Sequence, residues 1–188
     1  DAFGTSHRKQ ASTYEAIIQS KESCAGFLLK NEVEALNKSL QNPPKPNIAI
    51  IGGAKVSSKL GLINNLKDKT DFIIVGGGIT NTFLKASGHE VGSSLVEDSM
   101  LDIAREILES GKVLLPSRVI VSSTFDGANI AEKSIDEISA NEMILDQALT
   151  EDMKEVIKKS KLILWNGPLG VFENEIFSKG TRDLAKHI

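Results

Sequence analysis

Residues 47–61, NIAIIGGAKVSSKLG, decide the fold. Ile48, Ala49, Ile50 and Ile51 form an unbroken apolar run, the pattern of a strand covered on both faces. Gly52 and Gly53 end it. Without a Cβ they permit a tight turn and let a polar ligand come close to the backbone. Ser57 or Ser58 can cap a following helix whose apolar stripe is Val56, Leu60, Ile63 and Leu66. The predicted unit is strand, glycine turn, helix, with backbone N–H groups free where the helix starts. Lys55 and Lys59 stand at that junction, four residues apart, and on a helical path they project from one side. Lysines in a first turn oppose the helix dipole by about 0.3–1 kcal/mol each, and a bound anion relieves that conflict. The plainer alternative is a turn with two solvated lysines. Neither G-x-x-x-x-G-K-[ST] nor G-x-G-x-x-G can be drawn through these residues, so neither fingerprint applies.

Moving outward, the strand-then-glycine pattern recurs. In DFIIVGGG (71–78), Phe72, Ile73, Ile74 and Val75 predict a second buried strand ending at Gly76, Gly77 and Gly78. KLILW (161–165) predicts the last clear strand, running into Asn166-Gly167-Pro168-Leu169-Gly170-Val171-Phe172-Glu173. Between them, Thr80 to Ala86 reads as helical, and Leu101, Ala104, Ile107 and Leu108 mark a longer helix. Thr150 can cap another, with Glu151 and Asp152 complementing its dipole and Met153, Val156 and Ile157 facing inward. Phe177, Thr181, Leu184 and Ile188 line a final one. Val113–Leu115 and Val119–Val121 are strand-like, with Pro116 imposing a bend or a break. Ser122 to Asn141 has few periodic signals and reads as a surface excursion.

Short apolar strands alternating with amphipathic helices predict an α/β fold of parallel β-α units with right-handed crossovers. In such a sheet the three glycine-rich or turn-rich strand ends share the carboxyl edge, where ligands bind. Three such loops, one carrying paired lysines, point to a nucleotide or phosphate site. Glycines in the second loop let a flat base lie against the backbone, and Glu173 in the third can accept from ribose hydroxyls.

Before this region, residues 1–12 read as a polar loop anchored by Phe3, with His7 and Arg8 adjacent. Arginine grips carboxylates and phosphates bidentately, although such a pair is also ordinary surface. Thr13 to Gly26 has weak helical character. Leu29, Val33, Leu36 and Leu40 mark an amphipathic helix, stopped by Pro43, Pro44 and Pro46 at what reads as a domain boundary.

With 40% apolar and 25% charged residues, the 188-residue chain can bury a sizeable core beneath a soluble surface. A net charge of −3 with no basic run argues against nucleic acid, and no stretch approaches membrane-spanning length. Cys24 is the only cysteine, which fits a reducing cytoplasm. No His or Cys cluster has metal-ligand spacing, and no G-x-S-x-G elbow occurs. The first residue is not methionine, which reads as processing or as a fragment.

The chain resembles phosphoglycerate kinases through DAFGTSHR, GGAKVSSK, GGGITNTFLK, SLVE, LILWNGPLGVFE and FSKGT, in that family's order and together spanning nearly its whole length. The resemblance implies reversible, Mg²⁺-assisted transfer of a phosphoryl group between 1,3-bisphosphoglycerate and ADP, giving 3-phosphoglycerate and ATP in glycolysis. It implies a doubly wound, Rossmann-like parallel sheet with helices on both faces, the C-terminal half of a two-domain cytoplasmic kinase that is monomeric when full length. Residues 1–27 would be a remnant of the substrate-binding domain and 28–46 the interdomain helix and its proline connection. Residues 47–188 would be the nucleotide-binding domain. Lys55 matches a lysine that reaches the transferring phosphoryl group, and Lys59 one that binds nucleotide phosphates. Gly77 and Gly78 match the adenine shelf, Asn166, Pro168 and Val171 its surroundings, and Glu173 the acid near the ribose. Arg8, with His7, matches the basic patch for the triose phosphates.

Departures from the family pattern are informative. Its closing G-G-G-D-[ST] loop, with a Mg²⁺-associated aspartate, and most of its substrate patch have no counterpart here. Lys9-Gln10 replaces the more usual Ala-His, and Ile144-Leu145-Asp146 stands where some members have Gly-Leu-Asp, altering one wall beside the base. The expectation is therefore a chain that binds nucleotide without turnover by itself. The competing reading is a non-catalytic nucleotide-binding or structural module of the same fold.

Overall fold

The computed structural model describes residues 1–188, and the chain divides inside its proline cluster into two units, Asp1–Pro43 and Pro44–Ile188. The first unit is helical earlier than its sequence suggests. A 3₁₀ turn at Phe3–Thr5 precedes a π-type turn at Ala11–Glu15, which runs into α1 (Ala16–Gln19). Next comes α2 (Phe27–Gln41). The Asp1 carboxylate accepts from the Leu28 and Leu29 N–H groups at 3.0 and 2.7 Å, placing negative charge at the start of α2. None of α1 or α2 is buried, and Val33 and Leu36 of the apolar stripe remain exposed. A segment of this size buries too little surface to make a core of its own.

The second unit opens with β1 (Asn47–Gly52), buried at every position. Then follow α3 (Leu60–Lys67), β2 (Phe72–Gly76), α4 (Gly78–Ala86), α5 (Leu101–Leu108) and the two-residue β3 (Val113–Leu114). After β4 (Arg118–Ser122), β5 (Ala131–Ser134) and β6 (Met143–Gln147), the chain completes α6 (Glu151–Lys159), β7 (Leu162–Asn166) and α7 (Lys179–His187). Four strands make a parallel sheet in the order β3-β2-β1-β7. Ile48, Ile50 and Ile74 pack with Leu149, Met153, Ile157, Leu169 and Leu184, on the side of α6 and α7. Strand alternation turns Ala49, Ile51, Ile73 and Val75 the other way. On that side α4 lies against β1 and β2, and Ile63, Phe83 and Ile107 of α3 to α5 are buried. This is a doubly wound α/β sheet. The chain steps outward from β1 to β3 and later returns as β7 on β1's other flank, so winding reverses between β1 and β7.

Of the bend or break allowed at Pro116 the chain makes the break, and the reading of the segment after it needs correction. The strand-like stretches on either side of Pro116 lie in different sheets, β3 in the parallel one and β4 in a second, antiparallel sheet ordered β5-β4-β6. The supposed excursion after Ser122 thus contains β5, whose residues AEKS carry no apolar run because it is a partly exposed edge strand. Val119 and Val121 of β4 and Ile144 of β6 join Leu84 and Val91 in a second core, with Leu84 supplied by α4.

Candidate functional site

The glycine loops after β1, β2 and β7 meet each other before they meet any ligand. A Cβ on Gly52 would lie 1.9 Å from the Pro168 carbonyl oxygen, so β1 and the β7 loop touch backbone to backbone. Gly77 has φ +65°, and a Cβ there would lie 2.8 Å from the Gly53 carbonyl oxygen. Hydrogen bonds join the same loops: Gly53 N–H donates to the Gly76 carbonyl at 3.2 Å, and Gly77 N–H to that of Leu169 at 2.8 Å. Interlocking of the three strand ends thus requires these glycines, a reason apart from the ligand approach that the sequence suggested.

Beside this knot, over the carboxyl edge of the sheet, lies a cleft of about 230 Å³. One side is Gly53, Ala54, Gly77, Gly78 and Asn81; the other is Met143, Ile144 and Leu145 of β6. Leu95, Phe125, Pro168, Gly170, Val171 and Glu173 complete it. It is mostly apolar with few polar groups, the make-up of a small-molecule site.

The lysine turn differs from its sequence reading. Residues 57–59 form a turn, and α3 starts at Leu60 with Lys59 at its N-cap, so neither serine caps the helix. Ser58 Oγ donates instead to the Lys55 carbonyl at 2.7 Å. Ser57 donates twice to Glu97, from N–H at 2.9 Å and from Oγ at 2.5 Å. An internal carboxylate therefore holds the amide expected to be free for an anion. Burial pushes the Glu97 carboxyl up, but the bonds from Ser57 and Val56 and the charge of Lys55 outweigh it and hold the group below its usual range. Lys55 is exposed. Lys59 is half-buried and its Nζ donates to Asn166 Oδ1 at 2.5 Å, joining the β1 and β7 loops across the reversal of winding. In the same loop Trp165 Nε1 donates to the Gly167 carbonyl at 2.7 Å.

A family model described as phosphoglycerate kinase matches residues 1–188. The chain belongs to the phosphoglycerate kinase family. It is 46% identical over 196 residues to the phosphoglycerate kinase of Francisella tularensis subsp. novicida, covering all of this chain and 50% of that one. It is also 46% identical over 206 residues to that of Psychrobacter sp. strain PRwf-1, covering 51% of the relative. Among solved structures, phosphoglycerate kinase from Coxiella burnetii superposes with a TM-score of 0.87 at 45% identity, covering 98% of this chain and 50% of that one. The enzyme from Pyrococcus horikoshii OT3 gives 0.81 at 30% identity, covering 100% and 50%. The chain spans about half the length of the curated relatives it matches.

Of the residues singled out from sequence, Gly77, Gly78, Pro168, Val171 and Glu173 line the cleft. Lys59 and Asn166 bond to each other beside it, the Lys59 Cε lying 3.7 Å from where a Gly53 Cβ would stand. Lys55 follows the lining residue Ala54 in sequence. Arg8 and His7 lie in the first unit, where Arg8 Nε donates to His7 Nε2 at 3.4 Å. Sequence reasoning from the residues missed Asn81, Leu95, Phe125 and Met143. It placed Ile144 and Leu145 at a wall only through the family resemblance. The apolar start of MILDQ was the available signal.

Behind that wall Asp146 is buried, with its Oδ2 accepting from Gly180 N–H at 2.8 Å in the first turn of α7, while Oδ1 has no partner. Burial pushes its carboxyl from 3.8 up to about 6, against the pull of the Gly180 and Gln147 N–H groups. A raised carboxyl pKa in the folded state means stability fully present below pH 3.8 and lost as pH rises through about 6. The loss amounts to about 3 kcal/mol. We expect Asp146→Asn to match the parent at pH 4 and to exceed it by about 1–3 kcal/mol at pH 8 in urea melts. Equal destabilisation at both pH values would show that the Asp146 carboxyl does not titrate between them and that burial does not raise it.

Proposed function

We propose that the chain is the nucleotide-binding half of a phosphoglycerate kinase, a cytoplasmic phosphotransferase with a carboxyl group as acceptor. Residues 1–27 are a remnant of the substrate-binding domain, 28–46 the interdomain helix and connection, and 47–188 the nucleotide domain. The whole enzyme, a monomer, exchanges a phosphoryl group between 1,3-bisphosphoglycerate and ADP, giving 3-phosphoglycerate and ATP. The 188 residues alone bind nucleotide without turnover.

The observation that supports this reading is the cleft beside the reversal between β1 and β7, with Lys59 and Asn166 spanning the two loops. A base fits between Gly77–Gly78 and Ile144–Leu145, with Pro168 and Val171 beside it. Glu173, exposed at the mouth, accepts from ribose hydroxyls. Asn166 is a neutral holder for the Lys59 ammonium, so a phosphate replaces it with a stronger, charge-assisted bond. Lys55 reaches the moving phosphoryl group, and Arg8 with His7 contributes to gripping the triose phosphate. Glu97 fixes the turn that follows Lys55. No three His, Cys, Asp or Glu side chains converge on one point. The metal would arrive on nucleotide phosphates, as Mg²⁺ commonly does.

Titration calorimetry with adenosine, ADP and ATP tests the assignment. Lys59→Ala is expected to weaken ADP and ATP binding by about 1–3 kcal/mol and to leave adenosine unchanged. If all three ligands weaken together, Lys59 acts through the fold and not through phosphate.

A further inference from the structure

The short length of β3 leaves a vacancy in the sheet that another strand fills. In a parallel ladder a residue's N–H and C=O face one neighbour, and those of the next residue face the other. Ile73 N–H donates to the Lys112 carbonyl at 2.9 Å, so Ile73, and two residues on Val75, turn their polar groups toward β3. Pairing of Ile73 with Val113 and Ile74 with Leu114, carried forward, makes residue 116 the donor to the Val75 carbonyl. Residue 116 is proline and has no N–H to give.

Gln147, from β6 of the other sheet, supplies the missing donor. Its Nε2 donates to the Val75 carbonyl at 2.9 Å, and its Oε1 accepts from Thr80 Oγ1 at 2.7 Å. Gln147 and Thr80 are each 1% exposed, so neither bond can be replaced by bulk water. The carboxamide is a spacer with a donor at one end and an acceptor at the other. It ties the residue before Gly76–Gly78, and the first turn of α4, to the strand whose Met143, Ile144 and Leu145 form the opposite wall of the cleft.

We propose that Gln147 is a positioning residue that sets the separation of the two walls, and through it the fit of the nucleobase. The proposal rests on the nucleotide reading above. It concerns the base alone, because Lys55 and Lys59 stand on the β1 loop, to which Gln147 makes no hydrogen bond.

The test measures adenosine and inorganic tripolyphosphate binding separately, beside steady-state kinetics, in the full-length protein. Gln147→Leu is expected to weaken adenosine by about 5–30-fold, the effect of orphaning a buried carbonyl and hydroxyl, and to leave tripolyphosphate unchanged. KM for ADP rises by the same factor, while kcat at saturating ADP and KM for 3-phosphoglycerate stay within about twofold. Adding Pro116→Ala returns a backbone N–H to the vacant ladder position, and adenosine affinity is expected to recover in part. If Gln147→Leu does not fold, Thr80→Val, which removes one end of the spacer, decides in its place. A selective, smaller loss of adenosine binding supports the proposal, and unchanged binding overturns it. Parallel loss of adenosine and tripolyphosphate in a folded variant also overturns it. A parent protein that binds tripolyphosphate but no adenosine overturns the nucleotide reading, and this proposal with it.

Discussion

Supplied with 1,3-bisphosphoglycerate and ADP, the 188-residue chain is expected to form ATP at least about 10⁵-fold more slowly than an intact two-domain kinase of the family. Phosphoryl transfer asks little covalent chemistry of a protein. It asks for two reactants in line and for positive charge around the moving group. The second unit offers a cleft and two lysines for one reactant. Arg8 and His7, the candidates for holding the other, sit on a first unit with no buried residue in its helices. An arginine on such a segment has neither partners nor preorganisation, so its binding energy goes into ordering the loop. The triose phosphate then meets bound nucleotide by diffusion, and the advantage of holding both reactants, about 10⁵–10⁸ M in effective concentration, is lost. Coupled-enzyme detection of ATP measures this directly. A rate within about tenfold of an intact kinase, of order 10–10³ s⁻¹, would show that one unit suffices.

In the full-length enzyme, Lys55→Ala is expected to lower kcat by about 10²–10³-fold with KM for ADP nearly unchanged. Removing one well-aimed donor to developing charge costs an enzyme about that much. Lys59 is occupied in the absence of ligand, whereas the Lys55 side chain is exposed, two residues before the Ser57 that Glu97 pins. An ammonium with no hydrogen bond to give up can meet charge as it forms, and an interaction stronger in the transition state barely alters ground-state affinity. Steady-state kinetics beside calorimetry separates the two lysines. Equal losses of affinity in Lys55→Ala and Lys59→Ala, with kcat intact in both, would make them a single ground-state phosphate clamp.

The fold was legible wherever a strand is covered on both faces. β1 and β2 announce themselves as apolar runs ending in turn residues, because β-α-β winding buries both sides of a parallel strand. β7 carries the same signal at the edge of the sheet, where none of its residues is fully buried. β5 does not, since its AEKS lies at the rim of the smaller sheet and needs no apolar pattern. At the site, the glycine loops were visible but one reason for them was not. That Gly52 must lie against Pro168 is a contact between residues more than a hundred positions apart, and a turn signal is local. The Glu97–Ser57 clasp, spanning 40 residues, was hidden for the same reason. Half of the cleft was readable because it sits on strand ends. The β6 wall was readable only through the family resemblance, because tertiary packing alone brings it there.

Trp165 is the sole tryptophan of the chain, and Tyr14 the sole tyrosine, in the other unit. The indole is 39% exposed, is tethered by its N–H to Gly167, and directly precedes the Asn166 that holds Lys59. The protein thus carries its own optical label at the loop where nucleotide would exchange one lysine partner for another. Its emission arises from one place only, and occupancy of the cleft can be followed in real time on unmodified protein.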